Sequence, residues 1–418
     1  MGPDALLDTL DAARVQRDLD RLAELTGDAA GAQRVAWTDG WRRARAYVDE
    51  RLDGVARRHR DPAGNVWYTV DGARPEALVL GSHVDSVPDG GAFDGPLGLF
   101  AGAAILDALH GTTPPMTVRL VDWADEEGAR FGRSCFGSSA AAGTLDPDAV
   151  RDLRDADGVA LPDALAAHDV DLDAAPRAGA ELETARAYLE LHIEQGPVLE
   201  RRGEPVGVVT GTLGVERHRY RFAGRSSHAG TTPMDTRADA FLAAAQTALA
   251  ARDAAVRHGG VATTGPVAVH PGVATIINEL ATITVDLRAL EPGALAAMDA
   301  EVQAAAAGDD RVAVTREAVL RTPPVAFDAE LVALAADACR EVAGADVHLP
   351  SGALHDATEV GRRLPAVMLF ARSAGGISHH RSEHTTPADV ATATRALAVL
   401  AARALARPSD PSTPEASP

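Results

Sequence analysis

The stretch Leu78–Gly102, LVLGSHVDSVPDGGAFDGPLGLFAG, constrains this chain more than any other. The wholly apolar run Ala77 to Leu80 that enters it has the composition of a buried strand, and Gly81 is expected to end that strand at a sharp turn. Pro88-Asp89-Gly90-Gly91 reads as loop, and Asp94-Gly95-Pro96 as the entry to an apolar helix, Leu97 to Leu109. A second run rich in β-branched residues, Met116 to Ala124, follows. Strand, helix and strand in this order imply a crossover between parallel neighbours. The fold class expected is therefore α/β, a mostly parallel sheet covered by helices.

In such sheets ligands bind beyond the carboxyl ends of the strands, which is where His83, Asp85 and Asp94 fall. A histidine with carboxylates two and eleven residues on suits a hard or borderline dication such as zinc, manganese or cobalt. A helix-capping aspartate beside a surface histidine is the plainer reading of one such segment. Three further segments repeat the pattern. The run MTVRLVDWA ends in Asp125-Glu126-Glu127; a third strand, Ala187 to His192, ends in that histidine and leads into Glu194-Gln195; and strand Ala366 to Phe370 precedes SAGGISHHRSEHTT. Acidic triplets are ordinarily solvated surface, and a lone strand-end histidine is often a satisfied core residue. At neighbouring strand ends, however, adjacent glutamates can divide the labour. One binds metal while the other, its pKa raised by like charge and partial burial, shuttles a proton. Of the three histidines in the last loop His379 is the stronger candidate, because His380 and His384 are more readily exposed; the spacing does not decide among them.

Composition removes several alternatives. The chain contains no lysine, so Schiff-base, pyridoxal and P-loop chemistry are excluded. A formal charge of −20 argues against nucleic acid or an anionic membrane as partner, and no apolar run is long enough to span a bilayer. The N-terminus lacks the basic head and apolar core of a secretory signal, so a cytoplasmic location is expected. Cys135 and Cys339 read as small, reduced core residues.

Helical spacing from Ala5 to Arg58 predicts two amphipathic helices, and Asp146 to Glu183 predicts short helices and loops. From Leu213 the pattern changes to alternating strands, GVERHRYRFAGR and TIINELATITVDLRAL, around an Ala-rich helix. An α+β domain over residues 213–321 is thus expected to interrupt a first domain formed by residues 1–212 and 322–407, with a disordered tail over 408–418.

In order along the chain, GSHVDSVPDGGAFDG, DEEGARFG, HIEQGPVLE, GRSSHAGTTPMDTRADA, SGALHDA and GGISHHRSEHT resemble the hydantoinase/carbamoylase branch of the dinuclear-zinc aminoacylase and carboxypeptidase metallohydrolases. The resemblance covers residues 20–405 and is specific as an ordered series. It implies two divalent metals (zinc, or manganese or cobalt): His83 and His192 on one, Glu127 and His379 on the other, and Asp94 bridging. It makes Glu126 the general base and Asp85 the carboxylate that orients His83. It makes the inserted domain a ferredoxin-like lid through which a homodimer forms, with His228, Asn278 and Arg288 contacting substrate and stabilising the transition state. Gln195 and His355 would line the cleft. The activity implied is hydrolysis of a linear ureido C–N bond, as in an N-carbamoyl-L-amino acid, with allantoate or β-ureidopropionate as alternative substrates. More distant alternatives are an N-acyl amino acid deacylase or peptidase, and an inactive binding or scaffold protein. Leu354, where relatives often carry Gly, and His384, where they carry an aromatic, depart from the pattern and bear on substrate identity.

Overall fold

The structure, a computed structural model, describes residues 3–407; the tail expected from 408 onward lies outside the described residues. The chain divides into two compact units, one formed by residues 3–210 and 327–407, the other by 211–326. The strands are β1 (Arg57–Arg60), β2 (Val66–Val70), β3 (Ala77–His83), β4 (Thr117–Trp123), β5 (Ala185–Ile193), β6 (Val206–Thr212) and β7 (Gly214–Ala223). They continue with β8 (Val261–His270), β9 (Leu280–Ala289), β10 (Ala313–Thr322), β11 (Val325–Ala326), β12 (His348–Ser351) and β13 (Ala366–Ala371).

The large sheet runs β1-β2-β4-β3-β5-β13-β6-β11, with β12 beside β6. Its centre, β4-β3-β5-β13, is parallel throughout, and the pairs β1-β2, β2-β4, β13-β6 and β6-β11 are antiparallel. The expected α/β class holds. Strands β3 and β13 are buried at every residue, which is why their sequences are continuous apolar runs rather than alternating ones. The helix Pro96–Leu109 buries every residue except Asp107, so it has no solvent face. Each large apolar side chain buried here stabilises the unit by roughly 1.5–3 kcal/mol. Asp107 accepts from Arg51 at 3.1 Å, and Arg51 also reaches Asp18 at 2.7 Å, so one arginine ties three helices together.

Two expectations fail in this unit. Strand β3 does not stop at Gly81 but continues to His83. A Cβ at Gly81 would stand 2.6 Å from the Tyr188 ring and 2.8 Å from Trp123 Nε1, so this glycine serves close packing and not a turn. The region expected to hold two helices holds three, Pro3–Leu7, Ala12–Thr26 and Asp39–Leu52, and Arg57–Arg60, expected to be partly helical, forms the charged edge strand β1.

The inserted unit is a four-stranded antiparallel sheet ordered β10-β7-β9-β8, with helices Ala240–His258 and Pro292–Ala306. The chain order β-α-β-β-α-β with this strand order is the ferredoxin-like arrangement. Strands β8 and β10 and the second helix had no clear sequence signal, since β8 contains a proline and β10 is mostly exposed. Tyr220, Phe222, Ile283, Val285 and Leu287 pack against Ala244, Ala251, Met298 and Val302 to form its core.

Candidate metal centre

All four segments with metal-binding potential leave the carboxyl ends of the four parallel strands. His83 is the last residue of β3 and Asp85 lies two beyond it; Glu126 and Glu127 follow β4; His192 is near the end of β5; His379 follows β13. Asp94 sits just before the helix Pro96–Leu109. Asp125, Gln195 and His379 have φ of 56°, 57° and 55°, so three of the four exits pass through left-handed backbone, a strain often found at functional sites.

Asp94 is the common member of two donor groups. Its Oδ1 is 3.1 Å from His192 Nε2 and 3.7 Å from His83 Nε2; its Oδ2 is 3.5 Å from His379 Nε2, which is itself 3.4 Å from Glu127 Oε2. Within each group, His83-Asp94-His192 and Asp94-Glu127-His379, one donor atom per residue lies within 4.8 Å of the others. The Nδ1 atoms of His83 and His192 face the backbone carbonyls of Asp85 at 3.1 Å and Ile193 at 2.9 Å. A proton held there leaves each Nε2 lone pair pointing inward. His83 Nε2 is buried and has no hydrogen-bond partner. An orphaned imidazole nitrogen within a ring of carboxylates is a donor set that fits a dication.

The electrostatics agree. Burial would lower the His83 pKa, but Glu126 and Asp85 more than reverse this and raise it; Asp94 does the same for His192. Burial would raise Asp94, yet His192 and His83 hold it well below the carboxylate range. Glu126 and Glu127 are pushed up by burial and by neighbouring carboxylates. The cluster thus requires positive charge. A third group, Glu216, His218 and Asp299 in the inserted unit, is already supplied with it: Arg321 reaches Glu216 at 3.1 Å and Arg316 pairs with Asp299.

A model of peptidase family M20/M25/M40 matches residues 79–403. The chain belongs to this family. It is 38% identical over 379 residues to the N-carbamoyl-L-amino acid amidohydrolase of Geobacillus stearothermophilus, spanning 88% of this chain and 92% of that protein. It is 32% identical over 398 residues to the allantoate amidohydrolase of Escherichia coli K12, spanning 92% and 96%. An amidase of the hydantoinase/carbamoylase family from Burkholderia multivorans superposes with a TM-score of 0.86 at 30% identity, covering 96% of this chain and 99% of that one. The family expected from the ordered motifs is the family found.

In this M20 chain several site residues take contacts that their sequence motifs do not reveal. The Asp85 carboxylate is 3.5 Å from His83 Nδ1, farther than the backbone carbonyl, and also accepts the N–H groups of Glu126 at 3.3 Å and Glu127 at 3.2 Å. Gln195 Nε2 donates to Asp94 Oδ2 at 2.7 Å. His355 is buried, bonds Ser351 Oγ at 2.9 Å and packs on the His192 ring with centroids 4.4 Å apart. Of the neighbouring histidines, His380 pairs with Ser382 and His384 packs on Phe93, so His379 alone among the three joins the donor groups. In the inserted unit His228 is exposed and its Nδ1 accepts the Gly230 N–H at 3.1 Å, leaving Nε2 as the donor. Asn278 Oδ1 accepts from Gly272 N at 3.0 Å, and Arg288 Nε donates to Asp286 at 2.8 Å. Residues that sequence reasoning missed include Ser378, whose hydroxyl is 2.7 Å from Asp94 Oδ2, and the buried Arg34 and Glu383. Glu383 stands four residues after His379 in a motif already singled out; Arg34 carries no local signal.

Proposed function

We propose that this enzyme hydrolyses the C–N bond of a linear ureido acid, with an N-carbamoyl-L-amino acid as the leading substrate, releasing ammonia, carbon dioxide and the amino acid. The observation that carries the reading is Asp94, shared between two histidine-carboxylate groups with Glu126 beside them: Glu126 Oε2 lies 3.8 Å from His83 Nε2. The high-coverage relatives named for carbamoyl and allantoate hydrolysis support it.

In this reading His83 and His192 hold one divalent ion, Glu127 and His379 the other, and Asp94 both. Zinc, manganese or cobalt bound there supplies Lewis acidity toward water and toward the ureido carbonyl. Glu126 is the general base: it takes the proton of the attacking water and passes it to the departing nitrogen. Asp85 fixes the backbone of both glutamates. Gln195 and His355 shape the pocket from the metal-binding unit. The family resemblance gives three residues of the inserted unit their roles toward substrate: His228 as donor to the developing oxyanion, Asn278 as a substrate contact, and Arg288 as partner of the substrate carboxylate.

The inserted unit is also our candidate for a homodimer contact. Its edge strand β8 exposes Val261, Val267 and Val269, and its first helix exposes Leu242, Leu249 and Val256, more apolar surface than a solvated face needs. Both cysteines are buried and free, which fits a reducing, cytoplasmic setting. Among the described residues, no helix is long and apolar enough to cross a membrane.

Ammonia release should be measured from N-carbamoyl amino acids, ureidopropionate and allantoate, and release of the free amino acid from N-acetyl amino acids and dipeptides as contrasts. Turnover confined to ureido acids, abolished by chelator and restored by manganese, cobalt or zinc, is the expected result. Full turnover of the metal-stripped protein refutes the metal mechanism, and preference for the acyl or peptide substrates refutes the ureido assignment.

A further inference from the structure

The loop that joins β3 to the helix Pro96–Leu109 carries both Asp85 and Asp94, and it is held by two buried ionisable side chains to which the mechanism above gives no role. Arg34 is 0% exposed. Its Nε donates to the Val84 carbonyl at 2.9 Å and its Nη2 to the Gly91 carbonyl at 3.3 Å, joining the two limbs of the loop. The backbone beside it follows the same path: Ala32 N–H donates to Gly90 O at 2.9 Å and Ser86 N–H to Arg34 O at 3.2 Å. From the other end of the chain Glu383, 5% exposed, accepts the N–H groups of Phe93 at 2.9 Å and Asp94 at 3.0 Å on one oxygen. Its other oxygen is 3.2 Å from Ser378 Oγ, the hydroxyl that reaches Asp94. A Cβ at Gly91 would fall 2.1 Å from Glu383 Oε1, so the loop passes directly over this carboxylate.

An arginine this deep is tolerable only beside counter-charges. Burial lowers its pKa to about 10, and Glu383, Asp85, Asp94 and Glu127 keep it charged. If charge were its whole contribution, Arg34 would oppose the binding of a dication to those carboxylates. Its fork instead spans the loop that carries two of them. We propose that Arg34 and Glu383 are a positioning pair, which presets Asp94 for metal, and Asp85 for its hold on the glutamate turn, by fixing the backbone of their loop. This rests on the dinuclear reading above.

Charge and geometry can be separated by titrating manganese(II) calorimetrically into the chelator-stripped, full-length protein, with circular-dichroism melts to confirm folding. Arg34→Lys keeps the charge and loses the fork. Glu383→Gln keeps a carbonyl acceptor for both amides and loses the charge, whereas Glu383→Ala loses both. Positioning requires Arg34→Lys to bind manganese about tenfold or more weakly than the parent, and Glu383→Gln to bind about tenfold or more tightly than Glu383→Ala. Arg51→Met, which breaks a buried ion pair of the same unit away from the loop, should lower the melting temperature and leave manganese affinity unchanged. A smaller loss in Arg34→Lys, equal affinities in the two Glu383 variants, or an equal loss in Arg51→Met overturns the proposal. If Arg34→Lys does not fold, the Glu383 pair decides. A parent protein that binds no dication refutes the dinuclear reading instead.

Discussion

Replacing Asp85 by Asn tests which group this carboxylate serves. Both its oxygens accept backbone N–H groups, from Glu126 at 3.3 Å and Glu127 at 3.2 Å. An asparagine can accept only one of them and turns its NH₂ toward the other, so one charge-assisted bond is lost and one buried N–H is left facing a donor. A hydrogen bond to a charged group contributes about 1.5–3 kcal/mol and an unsatisfied buried donor costs about 1–3 kcal/mol. Both contacts are long, which selects the lower half of each range and gives a loss of about 2.5–4 kcal/mol. The glutamate backbone should move with it, weakening metal binding by about 10–100-fold, as for other partners just outside a metal's ligand set. His83, whose Nδ1 faces the Asp85 backbone carbonyl at 3.1 Å, should keep its orientation. Urea unfolding of the metal-free protein and manganese titration measure the two quantities separately. A stability loss under about 1 kcal/mol together with parental metal affinity would refute the claim that this carboxylate holds the glutamate turn.

Three further outcomes are expected. Glu126→Gln should bind metal as the parent does and turn over at least about 10²-fold more slowly in steady-state assays; near-parental kcat moves the base elsewhere. Arg288→Lys should lose most of the preference for a ureido acid over its neutral amide, with metal content unchanged, and a retained preference would mean that Arg288 does not bind the carboxylate. Leu249→Glu, on the exposed helix face, should convert a dimer to a monomer in light scattering while changing stability by no more than about 0.5 kcal/mol. A monomeric parent, or a dimeric variant, removes that face from the interface.

The central strands and their reactive ends were legible because strands buried on both faces must be written as unbroken apolar runs, so the first histidine or carboxylate after each run marks a strand end. The inserted unit was half legible. β7 and β9 alternate because one face packs on helices, whereas β8 and β10 lie at the sheet edges and carry little period. What could not be read were groups defined by a partner distant in sequence. Gly81 resembles a turn glycine until Tyr188 and Trp123 are seen against it. Asp85, two residues after His83, faces that histidine's Nδ1 at 3.5 Å, but its carboxylate also accepts amides about forty residues away, which its own segment does not announce. Arg34 resembles any surface arginine in a chain with many of them.

The position of β13 has a consequence for how the molecule is made. Strands β5 and β6 are neighbours in sequence, but in the sheet β13 lies between them, parallel to one and antiparallel to the other. During synthesis the chain must complete residues 211–326 before the strand that fills this gap exists, and until then β5 and β6 each present an unpaired edge. His379 arrives only after β13. On the proposed donor set, metal uptake should therefore be a late event that reports closure of the sheet, and chains truncated before Ala366 should be prone to aggregate and unable to assemble the centre.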